Sequence, residues 1–513
     1  MANHASLPYS VSHPVTFRGD YIAGEFHPPS DPTGEWTVVS PAAAKDTIAR
    51  VTYSFSEIDR AVQSSRDAFK KWRDLPQSAR NDCLKRYQAA LKNREAQLVE
   101  TISRETGKPL WEAKLEFAVI LNKVDITINE SLPLIKDIEI ADVMPGTHGT
   151  SRYRPHGVMI VVGPFNFPGH LPNGHIVPAL LTGNTVIFKP SEKTPMTGQL
   201  LAEAIHEADF PTGVFTLLQG DRELSRRLCI HEGVAGILFT GSYEVGTRIK
   251  QDTLQQHWKL LALEMGGKNP AIVWEDADLE FASYDLLTAA FLTAGQRCTS
   301  TSRVLIHHSL ADRFVEKVHQ AAKKLKIGHP YEDAFMGPVI DHQTVDRFQK
   351  FQPIATREGF EIIMRGKSLD LHGGHYVTPS IAFMKGGTAD QARKSVFQQT
   401  ELFSPMMAIQ TIDSVEGAVE LANATQYGLA ASVYSSSRKI FDACYRDLEF
   451  GIVNWNRSTV GSSSKLPFGG TKKSGNHRPT ALTSVFYCAY PVATHEVSQP
   501  SFPKQIFPGL SWS

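Results

Sequence analysis

From Ser151 onward the chain alternates short, unbroken apolar runs with helical stretches, and this restricts the fold more than any other feature of the sequence. The runs Val158–Val162, Thr185–Phe188, Val214–Leu218, Ala235–Phe239 and Leu260–Leu263 are separated by segments with helical spacing, such as Thr197–Ala208 and Glu244–Gln255. Strands without polar alternation must be covered on both faces, and strands joined through helices run parallel. The pattern therefore predicts an α/β fold with a doubly wound sheet. It resumes after Asn269 with Ala271–Trp274, Arg303–His307, Met406–Gln410, Ala430–Tyr434 and Gly451–Asn454, with helices from Asp278 and Leu310 and over Ser414–Ala422 and Lys439–Arg446. That is enough material for a second α/β domain of similar size.

Upstream, the first fifty residues read as turn-rich, Ser56-Glu57-Ile58-Asp59 resembles a capping box, and helical pattern runs from there to about Ile128. The chain carries 53 Lys+Arg against 53 Asp+Glu, so it has no electrostatic footprint for nucleic acid or an anionic membrane. The uncharged stretch Gly157–Phe188 is interrupted by Pro164, Pro168, Pro172 and Pro178 and is not a lipid-facing helix. The five cysteines are spread without CxxC pairs or metal spacing, which predicts neither a disulfide framework nor a metal site. The N-terminus lacks the basic and apolar regions of a signal peptide, so a reducing, cytoplasmic compartment is expected.

A doubly wound sheet suggests a nucleotide, yet no Gly-x-Gly occurs. Gly241-Ser242, followed by Gly246, opens a helix after Phe239-Thr240; it reads either as a phosphate-binding turn or as a plain N-cap. Lys189 and Glu192 follow a strand. They suit ribose hydroxyls, with Glu192 repelling a 2′-phosphate, and suit equally a solvated Lys–Glu pair on a turn.

Cys298, in Gly295-Gln296-Arg297-Cys298-Thr299, has small and polar neighbours, which predicts an accessible sulfur with some thiolate character. The other cysteines sit in helical or strand patterns and read as buried and inert. Glu264 ends an apolar strand beside Gly266-Gly267. Desolvation there would raise its pKa and suit it to general-base work, whereas pairing with Lys268 would lower it. Asn166, flanked by Phe165 and Phe167 on a loop after Val162, is placed either to donate to an oxyanion or simply to form a turn.

In this order, Glu105-Thr-Gly-Lys-Pro109, Gly163-Pro-Phe-Asn-Phe-Pro168, Lys189-Pro-Ser-Glu192, Phe239-Thr-Gly-Ser242…Gly246, Glu264-Met-Gly-Gly-Lys268, Gly295-Gln-Arg-Cys298, Glu401-Leu-Phe403 and Pro467-Phe-Gly-Gly470 resemble the aldehyde dehydrogenase superfamily over nearly the whole chain. The resemblance implies two doubly wound α/β domains plus a small β oligomerisation arm. It divides the chain into a cofactor domain (1–131 and 155–265), a catalytic domain (266–454), the arm (132–154 and 484–496), a return segment lining the substrate tunnel (455–483) and a tail (497–513).

It further implies Cys298 as nucleophile, Asn166 in the oxyanion site and Glu264 as the base for a thioester. NAD is expected on Lys189, Glu192, Phe239, Gly241, Ser242, Gly246, Glu401, Phe403 and Phe165. A small-molecule aldehyde is expected against Phe167, His175, Arg297, Thr299, Arg457 and Phe468, and the enzyme would be a homodimer or dimer of dimers. Phe167-Pro-Gly-His-Leu-Pro-Asn-Gly-His175 and Ser474-Gly-Asn-His-Arg-Pro479 resemble a branch of the superfamily that takes a long semialdehyde with two carboxylates. Gly174-His175 stands where many members have Trp-Lys, which predicts a wider and more polar tunnel. Ser404 replaces a customary Gly, and Thr471-Lys472-Lys473 replaces small residues.

Overall fold

The computed structural model describes residues 9–502 and 505–512. The first eight residues, and Pro503, Lys504 and Ser513 of the tail, lie outside the described residues.

Two seven-stranded sheets organise the chain. In the first, Leu260–Glu264, Gly236–Thr240, Val158–Val162, Thr185–Lys189 and Phe215–Leu217 lie side by side in that order and pair in parallel. Val158–Val162 and Gly236–Thr240 are neighbours in space but not in sequence. The strand order reverses there, and the loops leaving these two strands diverge to open a crevice. The middle strands are buried, all but Val162 at the crevice end, because helices cover both faces, as their unbroken apolar sequence requires. Burying each Val or Ile side chain contributes about 1.5–3 kcal/mol.

The second sheet has the order Glu361–Met364, Ser380–Met384, Met406–Ile412, Thr301–His307, Asn269–Val273, Ala430–Tyr434, Ile452–Trp455, all parallel except the first. The segments entering its strands carry Gly266-Gly267, Cys298, Glu401 and Phe403, whereas those leaving the first sheet carry Asn166, Lys189, Gly241 and Glu264. Strand exits of one sheet therefore face strand entries of the other.

A separate three-stranded sheet sets Thr147–Pro155 between Ile138–Met144 and Ala489–Glu496. Every residue of Ile138–Met144 is exposed, including Ile138, Ile140, Val143 and Met144.

The N-terminal region departs from its turn-rich reading. Asp20–Ile22 and Glu25–His27 form a hairpin that extends the first sheet antiparallel, and Gly34–Val39 pairs with Thr47–Tyr53. The strands are short and interrupted by turn residues, and tertiary pairing, not local pattern, makes them. The buried Asp20 carboxylate accepts from the Gln219 N–H at 2.6 Å and fixes this edge. The capping box also fails to form: Ser56 is itself helical (φ −65°) and its hydroxyl bonds that of Ser54.

Candidate active site

The loop after Val158–Val162 carries Asn166, buried to 4% exposure. Its carboxamide Nδ2 donates one hydrogen to the Gln296 carbonyl at 2.9 Å, which fixes the amide and leaves its second N–H for a ligand. The loop is held from beneath by Lys108, whose Nζ donates to the Asn166 carbonyl at 2.7 Å and pairs with Glu116 at 2.6 Å, wholly buried. Lys108 also stands 3.9 Å above the Phe167 ring. Phe165 meets Phe403 edge to face at 5.8 Å across the crevice.

At the next strand end, Lys189 is buried and its Nζ lies 3.8 Å from the exposed Glu192 carboxylate, too far for a hydrogen bond. Burial lowers its pKa, opposed mainly by the Glu192 charge. The Trp36 indole N–H donates to the Glu192 carbonyl at 2.9 Å, so the unforeseen strand Gly34–Val39 steadies this loop. Ser242 caps the helix Tyr243–Asp252 by accepting from the Val245 N–H at 3.3 Å. Gly246 packs so close to Met265 that a Cβ would reach 2.5 Å from its sulfur.

Cys298 is reached through three consecutive left-handed residues, Thr293 (φ 55°), Ala294 (φ 52°) and Gly295 (φ 71°). This strained turn is pinned by the buried Glu112 carboxylate, which accepts from the Thr293 hydroxyl and pairs with Arg297 at 2.5 Å. Downstream, the Asn269 amide donates to the Cys298 carbonyl at 2.7 Å and the Ser300 carbonyl at 2.9 Å, and a Cβ on Gly267 would collide with that same Cys298 carbonyl. Glu112, Asn269 and Lys108 were missed by sequence reasoning; only Lys108 lies inside a quoted motif. The remaining cysteines are buried.

Cys298 is half-buried, as an accessible sulfur requires. Burial pushes the thiol up to about 12, and the carboxylates of Glu401 and Glu264 add to this. Arg297 opposes them weakly, because its charge is already committed to Glu112.

Glu264 resolves the sequence ambiguity in favour of desolvation. It is buried to 4% exposure, its Oε2 has no partner, and burial raises its pKa well above the carboxylate range. Lys268 makes no ion pair with it and stands 5.1 Å over the Phe397 ring. The return segment seals this edge: the Met265 N–H donates to the Ser474 carbonyl at 3.0 Å, and a Cβ at Gly469 would lie 3.0 Å from Glu264 Oε1. Glu401 Oε1 accepts from the Gly267 N–H at 2.8 Å, and burial raises its pKa to about 7. Phe403 adopts a left-handed backbone (φ 54°), and the neighbouring Ser404 hydroxyl is buried without a partner.

A crevice of about 1080 Å³ connects these groups, running from Glu192 past Gly241 and Phe403 to Cys298. Its size, the unbonded Lys189 ammonium, the helix N-terminus at Ser242 and the free Glu401 oxygen together fit a dinucleotide.

The residues expected at the substrate divide. Phe167 and Thr299 sit at the Cys298 loop; the Thr299 carbonyl accepts from Thr459 at 2.6 Å and so ties that loop to the return segment. Phe468 is half-buried in the return segment, paired with Thr480. His175 requires correction as an anchor. It is buried, neutral with its pKa lowered to about 3, and saturated by the Tyr487 hydroxyl (2.9 Å) and Thr240 Oγ1 (3.2 Å). Arg457 is exposed and donates to the Gly461 carbonyl of its own loop at 2.6 Å. Lys472 pairs with Glu449 at 2.5 Å and bonds the Asn423 carbonyl at 3.0 Å, so that departure is a structural clamp.

The sequence profile described as the aldehyde dehydrogenase family matches residues 28–489. The chain belongs to that family. It is 39% identical over 508 residues to an N-succinylglutamate 5-semialdehyde dehydrogenase of Hahella chejuensis, covering 98% of this chain and 100% of the relative. A protein of the same description from Sphingopyxis alaskensis is 39% identical over 443 residues, covering 86% of this chain and 90% of that one. Among solved structures, a 1-pyrroline-5-carboxylate dehydrogenase from Thermus with bound NAD superposes with a TM-score of 0.86 at 29% identity, covering 93% of this chain and 92% of that one. Among the described residues, no helix is long and apolar enough to cross a membrane, and no group of His, Cys, Asp or Glu is arranged to hold a metal.

Proposed function

We propose that this dehydrogenase oxidises N-succinyl-L-glutamate 5-semialdehyde to N-succinyl-L-glutamate with NAD, a step of arginine catabolism. The observation that carries the reading is 39% identity, sustained over essentially the full length of both chains, to relatives of that description. NAD, when bound in the crevice, supplies the hydride acceptor and a positively charged ring.

The chain's own residues perform the rest. The Cys298 sulfur attacks the aldehyde carbon as its proton passes to the Glu264 carboxylate, which releases it to solvent before the hydrolytic step, and the resulting oxyanion is held by the free Asn166 N–H and by the Cys298 backbone N–H. Loss of hydride from the same carbon leaves a thioester on Cys298. Glu264 then takes a proton from water, the hydroxide adds to the thioester, and the thiolate departs. Burial makes Glu264 a stronger base than an exposed carboxylate, which narrows the gap to the raised Cys298 thiol. Exposed Glu192 at the crevice lip favours NAD over NADP, because a 2′-phosphate there would meet a like charge.

The domain division and the arm formed by Ile138–Met144, Thr147–Pro155 and Ala489–Glu496 belong to the same reading, with homodimerisation through the arm and a cytoplasmic location. NADH absorbance across a panel of succinylglutamate, glutamate and succinate semialdehydes tests the substrate. Succinylglutamate semialdehyde is expected to give the highest kcat/KM, and a higher value for either of the others would overturn the assignment.

A further inference from the structure

The helix Leu110–Ile126 crosses the helix His170–Leu181 at an interlock of Ile120 with Gly169 and Asn173, where the Asn173 amide donates to the Ile120 carbonyl at 3.0 Å. One turn beyond Ile120 stands Lys123, buried to 1% exposure. Among the described residues its Nζ makes a single hydrogen bond, to the Ala481 carbonyl at 2.9 Å, and no carboxylate lies within ion-pair distance. A buried ammonium with donors to spare is costly unless something else completes it. Burial lowers its pKa to about 8, which leaves it charged at neutral pH.

The other cations of this region are committed: Lys108 to Glu116, Arg297 to Glu112, and Lys472 to Glu449. Lys268 faces Phe397, and the charges it feels are Arg303 and, on the crevice side, Glu401.

Two further observations converge on Lys123. His170 lies within its electrostatic reach, and its ring Nδ1 is buried with no partner. His170 is neutral, with its pKa lowered to about 4, so one ring nitrogen carries a donatable hydrogen. Gly174, four residues on and therefore on the same helix face, has free space: a Cβ there would meet nothing within 4 Å. The set connects to the nucleophile through Phe167, whose ring lies 6.3 Å from that of His170 and 5.1 Å from the Arg297 guanidinium beside Cys298.

We propose that Lys123 Nζ, with the His170 imidazole and the space beside Gly174, binds a carboxylate of the aldehyde substrate. This rests on the dicarboxylate semialdehyde reading above for the identity of the substrate, but not for the presence of the anchor. It places the determinant of charge selectivity on two packed helices, where side-chain positions are fixed by the interlock.

The test compares wild type, Lys123→Met and Lys123→Arg on pentanal, succinate semialdehyde and succinylglutamate semialdehyde. In Lys123→Met, the ratio of kcat/KM for the carboxylated aldehydes over pentanal should fall about 10- to 100-fold, chiefly through KM, and Lys123→Arg should recover part of it. An unchanged ratio overturns the anchor, as does an equal loss on all three aldehydes. Should Lys123→Met not fold, His170→Leu gives the same readout, with an expected fall of about 3- to 10-fold and an unchanged ratio again overturning the proposal. If wild type instead prefers succinate semialdehyde, the substrate assignment fails while the ratio still decides the anchor.

Discussion

Two clusters of ionisable groups meet at the Cys298 loop, and they differ in sign and in origin. Burial raises the pKa of the sulfur and the carboxylates of Glu401 and Glu264 add to it, while burial lowers that of His170 and the charges of Lys123, Lys108 and Arg297 add to that. The acidic pair stands where one sheet's strands end and the other's begin, each within a short contiguous motif. The cationic group is assembled from the turn after one helix, the last turn of a second, and the Cys298 loop far along the chain. Chemistry here is carried by local motifs, and charge selectivity by tertiary packing.

The comparison breaks most completely if the acidic cluster has nothing to act on. Cys298→Ala should lose on the order of 10⁴-fold or more in kcat while retaining NAD affinity, measured by steady-state rates and by fluorescence titration of the cofactor. Asn166→Ala should cost about 10²- to 10³-fold in kcat with little change in KM, since its free N–H is needed only once the oxyanion forms. Its other hydrogen is committed to the Gln296 carbonyl, which fixes the amide in that orientation.

The sequence made the parallel strands legible because burial on both faces leaves no polar alternation to misread, and Val158–Val162 forms as expected. The N-terminal hairpin was not legible: Asp20–Ile22 and Glu25–His27 are three residues each and exist by pairing to a sheet whose other strands begin at Val158. At the site, Cys298, Glu264 and Asn166 stood out because each sits in a motif beside glycines or aromatics. Asn269 and Glu112 did not, since a clamp on a carbonyl or on a strained turn leaves no local pattern. Arg297 illustrates the same limit: its adjacency to Cys298 was visible, and its pairing with Glu112, 185 residues earlier, was not.

A smaller effect sharpens the acidic side. Glu264 has a folded-state pKa above its ordinary value, so its contribution to stability is complete below the ordinary carboxylate range and is lost as pH rises through the raised value. Glu264→Gln should therefore melt about 1–2 °C above wild type near pH 8.5, with the difference closing near pH 4.5, by differential scanning fluorimetry. At the least sensitive end, Arg457→Ala should change KM for succinylglutamate semialdehyde by less than about threefold, because that guanidinium is exposed and bonded within its own loop.

The account turns on Glu264 activating water against a thioester held on Cys298. Rapid mixing of Glu264→Gln with NAD and aldehyde measures this directly. A burst of NADH stoichiometric with active sites, followed by turnover slowed about 10²-fold or more, is the expected result. Linear NADH formation at the wild-type rate, with no acyl-enzyme detectable by mass spectrometry, would contradict it.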